Sequence, residues 1–484
     1  METLNTIRSL TRLANLKFDT IGLDNHEIEK FLNTDLQKAL KNALINLEKL
    51  LKDPFYSKIL QLDENKQITY LQKDILNFYE EKYINPYVPL SAHGPWIITT
   101  FGSVIYDVGG YGMLAFGHNP DIINYLSKEQ TMANVMTAQF IHAKFTSLLD
   151  QEIGSKFNID SSSTIYNKYI FLNSGSEAMA LALRLADVLG HLKGPDIKKD
   201  NIITVSFKGS FHGRLDRAAR CSDSSIASYK KHLASYQDNN NIAIRPNNIE
   251  DLEKVFIENS IETSGKFIDC LVLEPVMGEG CPGLSITKEF YERARELTKI
   301  YGSLLIIDSV QAGFRANGYL SICDYFDQFV LEPDIEVFSK SINGGQVPLS
   351  VIALNKTAVD LYKYGIYGNT MTGNPRSLEI GSHVLEIMSE RSIKQNIQNK
   401  GLEFLNMLKK IALVKDKIIE CQGTGLLLSI KMSSSVDIAL LERNFRMKGL
   451  GIIHGSNHSL RFTPNFLVTN EEIDLIYRIL SSNL

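Results

Sequence analysis

From about residue 160 to residue 355, short apolar runs alternate with helical stretches, and that rhythm narrows the fold more than any other feature. The runs are Tyr169–Leu172, Ile202–Ser206, Cys270–Leu273, Leu304–Ile307 and Leu349–Ala353. Several are apolar throughout, the pattern of strands covered on both faces. Helical spacing fills the intervals, for example over Glu177–Leu189 and Lys288–Ile300. Strand, loop and helix in repetition predict an α/β domain built on a mostly parallel sheet.

The flanks read differently. Residues 24–52 carry apolar residues at helical spacing, with Asn25 placed to cap and Pro54 to end the helix. A hairpin or meander is expected over Trp96–Asp107, followed by a Gly-rich loop. After about residue 366 the elements thin out into a smaller α+β domain that ends in a helix over Asn470–Leu480. A chain of 484 residues is too long for one ordinary core. Its 44% hydrophobic and 22% charged residues exclude disorder and fibres. With a net charge of -4 and scattered basic residues, nothing points to nucleic acid. Five cysteines without a C-x-x-C pair imply neither disulfide framework nor zinc, and no metal is expected. No stretch reaches the roughly 20 apolar residues of a membrane span. Arg8, Arg12 and Lys17 faintly suggest a transit peptide, but Glu2 and Asp19 spoil the pattern, and a cytoplasmic protein is expected.

Three segments carry chemistry. In NSGSEA at 173–178 a strand ends and a helix begins, so Gly175 and Ser176 sit in a first turn whose N–H groups lack internal acceptors. That is either a phosphate cradle or a Ser-rich helix cap. Asp308 closes the apolar run LLII at a strand's C-terminal end, where α/β sheets bind ligands. Its carboxylate needs a partner, which a protonated pyridine nitrogen, an ion pair or an N-cap would supply. Lys340 follows another apolar run and precedes Gly344 and Gly345, as an activated nucleophile or as an ordinary surface charge.

Taken together with SFHGR at 210–214, EPVMGEG at 274–280, IIDSVQAG at 306–313, SKSINGG at 339–345, GNTMTGNP at 368–375 and LRFTP at 460–464, the chain resembles a class III, ornithine-type aminotransferase of fold-type I that uses pyridoxal phosphate (PLP). The resemblance covers about residues 85–484. It implies an N-terminal helical extension over 1–84, the start of a small domain over 85–125, a large PLP-binding domain over 126–365 and a C-terminal small domain over 366–484. It implies that Lys340 holds PLP as a Schiff base and shuttles protons in a ping-pong reaction, and that Asp308 pairs with the pyridine nitrogen. Gln311 would bond the ring's phenolic oxygen, with Val310 on one ring face and Phe211 on the other. His212 joins the cofactor-binding set, and Gly175 and Ser176 offer N–H groups to the phosphate. Thr370, with Asn369, would reach the phosphate of a neighbouring subunit, which makes a homodimer with shared active sites.

On the substrate side the resemblance gives Arg214 and Arg461 to carboxylates and sets Glu279 against Arg461 until a dicarboxylate displaces it. The expected substrates are an ω-amine of a basic amino acid or related amine and a 2-oxo acid such as 2-oxoglutarate. A racemase, decarboxylase or aminomutase on the same fold, or a degenerate binding subunit, are the alternatives. Three departures stand out. Ser309 occupies the position after Asp308 where the family has Glu. Phe314-Arg315-Ala316-Asn317-Gly318 replaces the G-R-T-G pattern, and Gln422-Gly423-Thr424-Gly425 lacks the usual basic residue.

Overall fold

The computed structural model describes residues 1–484 except 13–14, 33, 110–111, 128–129, 160–163, 194–196, 198 and 237–239. Part of the expected Gly-rich loop (110–111) and one residue of the expected helix 24–52 (33) lie outside the described residues. The chain divides into two compact units. One comprises Met1–Ile123, Lys400–Gln422 and Leu428–Leu484, the other Asn124–Asn399 and Gly423–Leu427.

In the first unit the expected single helix over 24–52 is two helices, Asn25–Lys30 and Asp35–Lys52. Asp24, not Asn25, caps the first by accepting the Glu27 N–H at 2.9 Å. Thr34 caps the second, and a residue in cap geometry cannot sit inside a helix. Pro54 opens the next helix, Pro54–Leu60, as its first residue, a position that needs no N–H donor. Helix Asp35–Lys52 buries Leu36, Ala39, Leu40, Ala43 and Leu47, a stripe at three- and four-residue spacing. It packs on the antiparallel strands Pro89–His93 and Trp96–Thr99, which pair onward with Val104–Asp107. A second sheet in the order Ile418–Thr424, Leu427–Met432, Ser459–Phe462, Ile453–Gly455 precedes the last helix, Asn470–Asn483, which a Thr469/Glu472 capping box starts.

The second unit is built on seven strands: β1 (Lys168–Leu172), β2 (Ile202–Phe207), β3 (Asn241–Ile244), β4 (Phe267–Leu273), β5 (Leu304–Asp308), β6 (Ile335–Phe338) and β7 (Ser350–Leu354). Their order in the sheet is β1-β7-β6-β5-β4-β2-β3. β6, β5, β4, β2 and β3 are parallel neighbours, and β7 alone runs against both of its neighbours. Alternation within the apolar runs explains their character. Cys270, Val272, Leu304 and Ile306 face a core with helix Gly175–Leu192. Leu271, Leu273, Leu305 and Ile307 face the other side, against helices Ile249–Glu258 and Lys288–Tyr301. Each fully buried Leu or Ile contributes roughly 1.5–3 kcal/mol, so both layers are held by the strands that carry the site. Among the described residues no helix is long and apolar enough to cross a membrane.

Candidate active site

Adjacent strands β5 and β6 end side by side, with Asp308 opposite Val337 in the register. Asp308 is the last residue of β5, and Lys340 lies just past β6, so sheet pairing brings these two distant motifs to one edge. Asp308 is buried and its Oδ2 lies 2.9 Å from His212 Nδ1. Its Oδ1 accepts the Val310 N–H at 3.1 Å. His212 is buried as well, and its Nε2 has no hydrogen-bond partner. Lys340 Nζ donates to Gln311 Oε1, while Gln311 Nε2 is buried without a partner. Lys340 has φ +49°, in the left-handed region that side chains other than Gly rarely adopt. A non-Gly residue held there costs about 1–3 kcal/mol, a strain met most often at functional positions.

Above this edge stands the N-terminus of helix Gly175–Leu192. Ser174 caps it through the Glu177 N–H, which leaves Gly175 and Ser176 in the first turn. A Cβ on Gly175 would stand 3.0 Å from Val310 Cγ1, a tight contact that the Val310 side chain would have to relieve by shifting a few tenths of an ångström. A Cβ on Gly213, with φ +110°, would lie 2.8 Å from Ser176 Oγ. Phe211 donates its N–H to Glu274 Oε1 at 3.0 Å, and the Arg214 guanidinium lies 5.3 Å from the Phe211 ring centroid. Arg214 is exposed and also donates to Tyr229 Oη at 3.5 Å. Glu279 is half-buried in the loop after β4. Arg461 belongs to the other unit, buried on strand Ser459–Phe462 between Ser429 and Ile453.

Asn369 bonds within its own chain. Its Nδ2 donates to Glu177 Oε1 at 2.5 Å, and Tyr367 Oη donates to the same oxygen. Thr370 is exposed beside them, its carbonyl accepting from Asn134 Nδ2 at 3.4 Å. Glu177 thus ties the loop 367–370 to the helix N-terminus, a link that sequence reasoning missed across 192 residues.

Glu274 was also missed. It is buried at the end of β4 and accepts the N–H groups of Phe211 and, at 2.8 Å, Gly278. Burial pushes its carboxyl up to about 7, His212 works against the rise, and Asp308 adds to it. A carboxyl raised in the folded state contributes stability that is present below its ordinary value of 4.5 and lost as pH rises through about 7. Glu274→Gln removes that loss, at the pH-independent cost of one N–H left without an acceptor. Between pH 5.5 and 8.5 its thermal midpoint is expected to gain on wild type by the equivalent of ~2–3 kcal/mol. A difference that stays constant with pH would show that Glu274 does not titrate in this window.

The residues at the edge suit a PLP ring and phosphate. An unpartnered amide N–H, a carboxylate backed by an imidazole, a lysine and a helix N-terminus opened by glycines converge there. A family model for aminotransferase class-III matches residues 78–484. Ornithine aminotransferase 1 of Staphylococcus saprophyticus is 27% identical over 381 residues, 78% of this chain and 89% of that protein. The probable mitochondrial acetylornithine aminotransferase of Dictyostelium discoideum is 28% identical over 434 residues, 85% of this chain and 88% of the relative. Among solved structures, an ornithine aminotransferase from Toxoplasma gondii, with PLP at partial occupancy in its active site, matches with a TM-score of 0.74 at 20% identity. That match covers 89% of this chain and 97% of the other.

Proposed function

This chain belongs to the class-III aminotransferases, fold-type I enzymes that work with PLP, and from that premise we propose that it moves the ω-amino group of a basic amino acid or related amine to a 2-oxo acid such as 2-oxoglutarate. The observation that carries the reading is the meeting of Lys340, Gln311, Asp308 and His212 at the ends of two neighbouring strands. PLP, when bound, supplies a ring that accepts electrons as a substrate carbon loses its proton.

The chain's own residues do the rest. Asp308, hydrogen-bonded to His212, would hold a proton on the pyridine nitrogen. Gln311 turns its spare Nε2–H to the phenolic oxygen. Val310 and Phe211 would line the ring's site, and the Gly175 and Ser176 N–H groups would hold the phosphate. Lys340 would anchor the cofactor through Nζ, and the same nitrogen, once released by the incoming amine, would take up the substrate proton and give it back. Arg214 and Arg461 bind substrate carboxylates, and Glu279 keeps the amine half-reaction selective.

Steady-state assays with ornithine, acetylornithine and lysine against 2-oxoglutarate test the substrate class. Activity with none of the ω-amines would defeat it. For the substrate residues, Arg214→Ala and Arg461→Ala are each expected to cost ~1.5–3 kcal/mol, roughly tenfold to a hundredfold, in a half-reaction with a carboxylate substrate. Glu279→Ala is expected to slow the amine half-reaction more than the glutamate one in stopped-flow records. Equal losses in both would leave Glu279 a structural residue.

A homodimer is part of this reading. Met136 is 91% and Phe140 98% exposed, with Met132, Val135 and Met371 exposed beside them. Val135 and Asn134 adjoin Gly373 and Thr370, so this exposed apolar segment borders the loop assigned to the neighbour's phosphate. Patches of this kind mark interaction surfaces. Sedimentation under assay conditions should show a dimer, and an active monomer would refute the shared site.

A further inference from the structure

Glu336 is a carboxylate in the middle of β6, fully buried between two strands. Such a group is costly unless donors use its lone pairs. Four neutral donors do so here. They are Ser309 Oγ at 2.5 Å, Ser321 Oγ at 2.6 Å, Tyr166 Oη at 2.6 Å and the Ile322 N–H at 2.8 Å. Among the described residues no Lys, Arg or His forms an ion pair with it. Burial raises its carboxyl to about 6 while the hydrogen bonds pull against the rise, so above that pH it is an anion held by dipoles alone.

The donors have a common position. Ser309 opens the turn after Asp308 that carries Val310 and Gln311, while Ser321 and Ile322 close it. One carboxylate therefore fastens both ends of that turn to the strand that leads, four residues on, to Lys340. The Ser309 N–H also donates to the Val337 carbonyl at 2.9 Å. Successive residues of a strand face opposite sides, so Glu336, opposite Ile307, points away from the face that Asp308 presents to His212.

We propose that Glu336 is a positioning residue for the cofactor site, acting through Ser309 to hold Asp308 and Gln311 in fixed register with Lys340. The inference rests on the assignment of Asp308 and Lys340 above. A carboxylate that merely filled the interior would matter for stability and not for the placement of Asp308.

The test is a double-mutant cycle on cofactor affinity, measured by equilibrium dialysis of PLP against cofactor-free protein. Ser309→Ala leaves Glu336 with three donors and cuts only its link to the strand end. It is expected to raise the PLP dissociation constant about tenfold, the worth of one hydrogen bond to a charged group, and Glu336→Gln at least as much. In an Asp308→Asn background the same Ser309→Ala change should have less than about a threefold effect, since residues acting as one unit are not additive. Equal weakening in both backgrounds, or no weakening in either, overturns the proposal. If Glu336→Gln does not fold, Ser309→Ala decides alone. If Asp308→Asn itself leaves PLP affinity and turnover unchanged, the assignment of Asp308 fails first, and that failure is read directly from the single variant.

Discussion

Lys340→Ala is expected to abolish transamination, with a loss on the order of 10⁴-fold or more, while the protein stays folded. General acid–base transfer alone contributes about 10²–10⁴-fold, and in the proposed role this nitrogen is also the anchor. A chemical amine is needed, not a positive charge. Lys340→Arg keeps the charge and the length but carries a guanidinium that does not deprotonate, so it should be equally inactive. Because Lys340 sits at φ +49°, Lys340→Gly relieves backbone strain and should raise the thermal midpoint while removing activity. Added methylamine, a free substitute for the missing Nζ, should return part of the rate to Lys340→Ala or Lys340→Gly. Substantial turnover in Lys340→Ala without such an amine would remove Lys340 from its role.

Asp308→Asn is expected to lower kcat by about 10²–10³-fold, the cost of removing one preorganised electrostatic partner from a water-excluded site. The change is nearly isosteric. The one amide oxygen still accepts the Val310 N–H, and the amide NH2 faces His212 Nδ1, which can accept it once the ring proton sits on Nε2, so packing and the turn should survive. The negative charge is lost, and in the proposed role nothing would then hold a proton on the pyridine nitrogen. PLP affinity should fall with kcat, whereas the thermal midpoint of the cofactor-free protein should move little. Measured kcat within threefold of wild type would give Asp308 another task, such as orienting His212 alone.

Much of the scaffold was legible because its physics is local. Runs such as LLII and CLVL are apolar at every position since both strand faces are covered. β3 has no place among the expected strands, and β6 enters only as the apolar run before Lys340, for opposite reasons. β3 is a short edge strand that is only partly covered. β6 is central, but Glu336 interrupts its apolar run, and the donors that make this tolerable come from Tyr166, Ser309, Ser321 and Ile322, far apart in sequence. The break in the helix 24–52 was hidden because Phe31 and Leu36 keep a plausible apolar rhythm across a capping Thr34.

The site divides along the same line. Asp308 and Lys340 announce themselves as charged residues at the ends of apolar runs, and Gly175 and Ser176 as the start of a helix. His212 against Asp308, Glu274 beneath Phe211 and Glu177 on Asn369 are long-range pairings with no local signature. The best available clue to Glu274 was its place at the end of CLVLEP, the same strand-end logic that singled out Asp308.

The central claim, amino transfer by a two-stage exchange, is tested most directly by a single-turnover experiment. PLP-loaded protein is mixed with an excess of the best ω-amine and no acceptor, and the carbonyl product is counted by rapid quench. Close to one equivalent of product per active site is expected, followed by arrest, with turnover resuming when 2-oxoglutarate is added. Continuous product release without any acceptor would contradict the account and point to a racemase or decarboxylase on this fold.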